Sequence, residues 1–232
     1  MRGTNRVVSR ANRVRTFGVL ADLWPTLKLR LETPRLTLRI PNDDELARLA
    51  ELAAKGVHRD GERPFLTPWT EGTPGQRAEH VLRNHWGCLA EWSVFDWYLS
   101  MAVFPSGSER PLGAVTLRAK DFPVTREVRT TSWLGLEHQG QGYGTEARTA
   151  LLTLAFDHLE ATDALTEVFQ DNHASQGVSR RLGYQPDGIS RDPRDGKVLV
   201  SDRLRLTAER WAGIERVSVS VVGLDTARSM FG

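Results

Sequence analysis

Between residues 134 and 147 the chain reads Leu-Gly-Leu-Glu-His-Gln-Gly-Gln-Gly-Tyr-Gly-Thr-Glu-Ala, with Gly140, Gly142 and Gly144 at alternate positions. Glycine lets a backbone turn tightly and approach a ligand closely, and the first amides of a helix are unpaired and lie at its positive end. Strand, glycine loop and helix in that order can hold a pyrophosphate. Two nucleotide motifs of this shape fail here. A dinucleotide fingerprint started at Gly140 and Gly142 needs a third glycine where the chain has Thr145, and no Gly-Lys-Ser or Gly-Lys-Thr exists for a Walker A loop. What remains is Gln139, Gly142 and Gly144, spaced Q-x-x-G-x-G.

Other reactive side chains are sparse. Cys88 is the one cysteine, so the chain has no internal disulfide and no cysteine-based zinc site. It lies in an apolar-patterned stretch, residues 81–92, where a buried structural thiol is expected rather than a nucleophile. The histidines at 80, 85, 138, 158 and 173 show no H-E-x-x-H or comparable spacing, so no metal is expected.

Elements must position the glycine loop. Residues 36–40 alternate as a strand stopped by Pro41, and Asn42, Asp43 and Asp44 offer caps for a helix to about Lys55. Residues 56–75, with Pro64, Pro68, Trp69 and Pro74, read as a structured loop, followed by a helix over 76–92. Strands are predicted at 97–104, 112–117 and 128–136, joined by short turns as in an antiparallel meander. The last runs into the loop; apolar Ala147, Leu151, Leu154 and Ala155 then mark a helix ending near Leu159, and residues 165–171 read as another strand.

Past that strand come Asn172, Ser175, Val178, Ser179, Arg181 and Leu182-Gly183-Tyr184. The Q-x-x-G-x-G loop, then a strand ending at an asparagine, then a short helix closing on Leu-Gly-Tyr, resembles the GNAT superfamily of N-acyltransferases. Ser132-Trp133-Leu134-Gly135 and Gly144-Thr145-Glu146-Ala147 are similar to its RimJ/RimL branch, particularly actinobacterial members. The resemblance runs over residues 31–211 and its motifs over 133–184. It implies an α+β fold: a mixed, mostly antiparallel sheet flanked by helices, whose two central parallel strands, 128–136 and 165–171, splay to form a slot for acyl-CoA. A strand at 198–206 and a short helix at 208–211 would complete the domain. The division expected is a basic extension over 1–28, disordered, the acyltransferase domain over 29–212, and a C-terminal extension over 213–232 whose alternating Val217, Val219 and Val221 suggest an extra strand able to pair with another subunit.

The resemblance also implies roles. Gln139, Gly140, Gln141, Gly142, Tyr143, Gly144 and Thr145 would hold the pyrophosphate, Asn172 and Ser175 the pantetheine arm, and the backbone from Leu134 to Leu136 the carbonyl oxygen of the thioester. A family tyrosine that protonates the leaving thiolate falls on Ser179, whose hydroxyl either hydrogen-bonds the thiolate or lies on a helix surface. The glutamate that related sequences carry four residues before Trp-Leu is Arg129 here. Asp171 is the base favoured in its place, with Glu167, His58 and Asp60 as substitutes. Arg129, Arg118 and Lys120 could grip a dicarboxylic acyl group, so the donor is acetyl-CoA by default with succinyl-CoA as an alternative. On the acceptor side, Phe65, Pro68 and Trp69 could wall a site where Asp60, Glu62 and Glu71 attract a cationic amine, or only pin the loop.

Composition bounds the remaining classes. No apolar run spans a bilayer, and the single thiol fits a reducing, cytoplasmic location. The formal charge of +2 comes from the first 20 residues, with Arg2, Arg6, Arg10, Arg13 and Arg15 and no acid. Three functions follow: an N-acyltransferase acting on a protein or small-molecule amine, expected to be a homo-oligomer; a CoA-binding module without catalysis; and, as the outlier, a nucleic-acid-associated protein acting through that arginine tail.

Overall fold

The computed structural model describes residues 18–232. Helix α1 (Val19–Leu23) and a 3-10 turn (Pro25–Lys28) lead into β1 (Arg30–Glu32) and β2 (Leu36–Arg39). Helix α2 (Asp43–Lys55) starts at a capping box: the Asn42 side chain accepts from the Glu45 amide while the Glu45 carboxylate accepts from the Asn42 amide. Helix α3 (Pro74–Ala90) repeats the device with Thr73 and Gln76, and Pro74 sits at its first turn, where a missing amide costs nothing. The antiparallel meander follows as β3 (Asp96–Pro105) and β4 (Gly113–Lys120), then, after the short α4 (Phe122–Thr125), β5 (Glu127–Leu134). Beyond the glycine loop come α5 (Tyr143–Thr153), whose end widens into a π turn over Leu154–His158, β6 (Asp163–Phe169) and α6 (His173–Arg181). The chain closes with β7 (Gln185–Arg194), β8 (Lys197–Thr207), α7 (Ala208–Ala212), β9 (Ser220–Val222) and α8 (Leu224–Ala227).

The strands form one sheet in the order β7-β8-β6-β5-β4-β3-β2-β1-β9, antiparallel except between β5 and β6. Alternation sends β3 side chains to two cores. Leu99, Met101 and Val103 meet Ala147, Ala150, Leu151 and Leu154 of α5, whereas Ala102 and Phe104 meet Leu46, Leu49, Ala53 and Val81 of α2 and α3. Burying one such leucine contributes about 1.5–3 kcal/mol, so helices are clamped on both faces of the sheet.

The parallel pair decides the shape of the site. Strands β5 and β6 pair only at Glu127 with Asp163, Val128 with Ala164 and Arg129 with Leu165. Beyond these, β5 continues to Leu134 and β6 to Phe169 without pairing to each other, because β6 stays on β8 through Phe169 opposite Ser201 while β5 stays on β4 through Leu134 opposite Gly113. The gap between them is the expected splay.

Both ends of the chain depart from the expected division. Residues 19–23 and 25–28 are helical, with Ala21 and Thr26 buried; residues 1–17 of the expected extension, its arginines included, lie outside the described residues. At the other end the extra strand forms, three residues later than the valine pattern suggests, and pairs with β1 of its own chain. Phe231 beyond it is fully buried against Trp92 and Trp97, and both indoles donate to backbone carbonyls there. Leu224, Ala227 and Phe231 therefore join the core.

Candidate active site

The loop at the mouth of the gap is held from behind. Gly140 and Gly142 have φ of +73° and +83°, a backbone region that side chains disfavour, and Gly142 caps α5 without any side-chain acceptor. The first amides of α5 are thus presented outward. Arg35, from the turn between β1 and β2, donates to the Gln141 carbonyl at 3.1 Å, lies over the Tyr143 ring at 4.8 Å and binds the buried Glu146 carboxylate at 2.6 Å. That carboxylate also accepts from Thr33 Oγ1 at 2.6 Å and from the Arg35 amide at 3.0 Å. Gln139 and Gln141 spend their side-chain amides on the protein: Gln139 Nε2 donates to the carbonyls of Val57 and Leu134 at 2.7 and 3.0 Å, and Gln141 Nε2 to that of Glu137 at 3.0 Å. What the loop offers an anion is therefore backbone N–H from about Gln141 to Thr145. Gly144 has room for a methyl group, which would meet only Leu134 Cδ1 at 3.8 Å.

Along the gap, alternate β5 residues have lost their partners. The Gly135 amide donates to Leu112 on the β4 side, while the Thr130 carbonyl faces β6 and accepts from Thr166 Oγ1 at 3.3 Å. By the two-residue alternation of an antiparallel ladder, the amides of Ser132 and Leu134 face the gap. The Leu136 amide does not; it donates to the Gly56 carbonyl at 3.3 Å. Of the stretch expected to hold the carbonyl oxygen, Leu134 is the residue free to do so.

The gap closes on a buried polar cluster. Arg148 on α5 donates to Thr130 Oγ1 at 2.8 Å and to Ser179 Oγ at 3.3 Å, and the Tyr184 hydroxyl is 3.2 Å from Thr130 Oγ1. All four residues are at most 3% exposed. Ser179 is therefore on the inner side of α6. Asn172 caps α6 by accepting from the Ser175 amide at 3.1 Å, which leaves its own NH2 to donate elsewhere. Asp171 lies just outside, in the exposed turn after β6.

On the opposite face of the sheet, Glu167 pairs with Arg129 at 3.7 Å, both partly exposed. Arg129 stands directly across from Arg118, and with Lys120 and Glu127 they line a cavity of about 440 Å³. The 56–73 loop is packed down: Trp69 stacks on His80, touches Phe65 and meets Trp133 edge-on with centroids 5.6 Å apart. Burial holds the His80 imidazole below its ordinary pKa. Glu71 is bound by Arg194 from the tip of the β7–β8 hairpin, which lowers its pKa, and Arg194 also donates to the Phe65 carbonyl at 2.8 Å. Glu62 accepts from the Arg59 amide at 3.0 Å and His58 Nε2 is 2.9 Å from Thr70 Oγ1, so of the loop's acids Asp60 is the one that makes no side-chain hydrogen bond or ion pair among the described residues. Burial pushes the Cys88 thiol up to about 11. Among the described residues no cluster of His, Cys, Asp and Glu could hold a metal ion, and no helix is long and apolar enough to cross a membrane.

Three residues essential to this arrangement escape sequence reasoning: Arg35, Glu146 and Arg148. No local pattern marks them: Arg35 and Glu146 meet across 111 positions, and Arg148 is a charge on the buried face of α5.

Residues 35–185 match the family model described as "Acetyltransferase (GNAT) domain". A curated relative, "Putative ribosomal N-acetyltransferase YdaF" of Bacillus subtilis (strain 168), is 26% identical over 164 residues, 68% of this chain and 81% of its own. Among solved structures, the RimL ribosomal L7/L12 α-N-protein acetyltransferase in complex with coenzyme A superposes with a TM-score of 0.61 at 18% identity, covering 75% of this chain and 95% of that one. The microcin C7 self-immunity acetyltransferase MccE, in complex with acetyl-CoA and AMP, gives 0.58 at 16% identity, covering 75% and 93%.

Proposed function

The chain belongs to the GNAT acetyltransferase family, and from that premise we propose that it transfers an acyl group, acetyl by default, from acyl-CoA to a primary amine of a protein or small molecule. The observation that carries the reading is the coupling of outward amides on the glycine loop to a gap lined by the unpaired amides of Ser132 and Leu134. The pyrophosphate sits on the loop, with Arg181 and Arg216 along the adjoining groove of about 350 Å³ to meet further phosphate charge. The pantetheine arm, itself a chain of amides, replaces the missing strand contacts, and Asn172 donates to it. A gap-facing amide of β5, that of Ser132 or Leu134, binds the thioester oxygen, whose charge grows as the amine attacks. Asp171, or a water chain ending on it, takes the amine proton. The acceptor enters over the face bearing Trp69 and Trp133, where Asp60 is left to attract a cation.

A second donor is supported by one specific feature. Arg129 is met by Glu167, but Arg118 directly across from it and Lys120 in the same cavity form no ion pair among the described residues, so the cavity favours an anion, as the terminal carboxylate of succinyl-CoA would provide. A cytoplasmic, oligomeric enzyme, its copies joined along the free edge of β9, fits the same reading.

The test mixes acetyl-CoA or succinyl-CoA with a panel of amines, ribosomal protein N-termini included, and measures CoA thiol released. Turnover with any amine supports the reading. Tight CoA binding without turnover would leave a non-catalytic CoA module, and absence of CoA binding would remove the proposal. If Arg129 reads the donor, Arg129→Gln raises KM for succinyl-CoA and leaves that for acetyl-CoA unchanged.

A further inference from the structure

Arg148 is 2% exposed, yet among the described residues its guanidinium has hydroxyl partners and no carboxylate. The acid two positions earlier, Glu146, turns away to Arg35 and Thr33. Tyr184 presents its ring face at 5.3 Å, and Arg148 Nε has no acceptor. A guanidinium withdrawn from water costs several kcal/mol even after relaxation, and hydroxyl dipoles offset only part of that. The cation is not in a random place. Its two donors end on Thr130 of β5, which borders the gap at the level where β5 and β6 stop pairing, and on Ser179 of α6, the helix that follows β6. A fixed, unneutralised cation with a spare donor at the closed end of a slot is built to receive an anion.

Resting on the acyl transfer proposed above, we propose that Arg148 stabilises the CoA thiolate as it departs and fixes Ser179 so that its hydroxyl proton points at the sulfur. In the step, the amine nitrogen bonds to the thioester carbon, the C–S bond breaks and its electron pair goes to sulfur. The proton that the amine gives up to Asp171, and Asp171 then to solvent, is matched by one that the thiolate later takes from solvent. Ser179 accepts from Arg148, so its own O–H is free to donate, and the positive charge makes it a better donor.

The experiment compares binding of CoA and of desulfo-CoA, which lacks the sulfur, by calorimetry between pH 6 and 9, with ultraviolet absorbance reporting bound thiolate. For wild type, CoA affinity should climb relative to desulfo-CoA with rising pH and level off near the ordinary thiol pKa of about 8.5, because the bound thiol ionises more easily than the free one. Arg148→Met should abolish that difference and lower kcat on the order of 10²-fold, with donor KM within a few-fold. Arg148→Lys should restore part of kcat. Parallel pH profiles for the two ligands on wild type would overturn the proposal without any variant. A defect of Arg148→Met confined to KM for succinyl-CoA would also overturn it, since the anion would then be an acyl carboxylate. Binding of neither ligand by wild type would remove the acyl-CoA reading and this inference with it.

Discussion

Gly144→Ala separates ligand binding from folding. In the structure its added methyl group meets only Leu134 Cδ1, at 3.8 Å, an ordinary contact, and its φ is not in the positive region. Replacing glycine by alanine in a helix contributes up to about 1 kcal/mol of stability, so the variant should melt at or slightly above the wild-type temperature. The same methyl stands where a phosphate must approach the backbone. Losing one or two charge-assisted hydrogen bonds costs about 1.5–3 kcal/mol, a rise in Kd for CoA of roughly 10- to 150-fold. Gly142→Val is the contrast: its φ of +83° strains any side chain by about 1–2 kcal/mol, and at about 2–4 °C per kcal/mol for a domain of this size it should melt several degrees lower. Calorimetry with CoA and thermal unfolding of both variants check the pair. A folded Gly144→Ala protein with unchanged CoA affinity would refute backbone binding of the pyrophosphate by this loop.

Glu146→Gln removes a carboxylate that anchors Thr33 and Arg35; it should cost about 1.5–3 kcal/mol by denaturant unfolding and weaken CoA binding as the loop loosens. Cys88 should resist a thiol reagent at neutral pH and react fully after denaturation, because burial keeps its thiol protonated. Glu71 has a pKa held below 4.5 by Arg194, so their pairing contributes stability above that value and loses it as pH falls through the lowered one; the melting-temperature gap between wild type and Glu71→Gln should shrink below about pH 4.5. Asp171→Asn should lower kcat with the donor KM little changed, and unaltered turnover would assign proton removal to another group.

Elements with local signals were legible in the sequence. The cap Asn42, the strand-glycine-helix order and the Leu-Gly-Tyr ending all mark structure within a few residues of themselves, whereas the helix expected from residue 76 starts at Pro74, on a Thr73 cap inside the stretch read as loop. Strand β7 was not, because Pro186, Gly188 and Pro193 read as loop; they are tolerated since β7 is the outermost strand at its end of the sheet. Its hairpin did carry a signal in Asp195-Gly196, both with positive φ. The expected strand over 165–171 ends two residues sooner, where the chain turns to let Asn172 cap α6. The arginines were illegible for another reason. Arg35 meets Glu146 across 111 positions, and Arg148 occupies the buried face of α5, where a single sequence gives no hint that a charge is tolerated.

A sheet ordinarily has two rims, and this one has a third in its interior. The amides that face the gap from β5 form an internal edge with the hydrogen-bonding appetite of any unpaired strand, which proteins elsewhere blunt with charge, bulges or covering segments. Here the edge can be satisfied only by water or by a guest of strand-like spacing. A purely hydrocarbon tail would have to strip that water and leave the amides unmet, at about 1–3 kcal/mol each. For the acyl-CoA reading proposed above, the consequence is discrimination by polarity before any chemistry: a tether that itself carries amides is favoured over a greasy one of equal width.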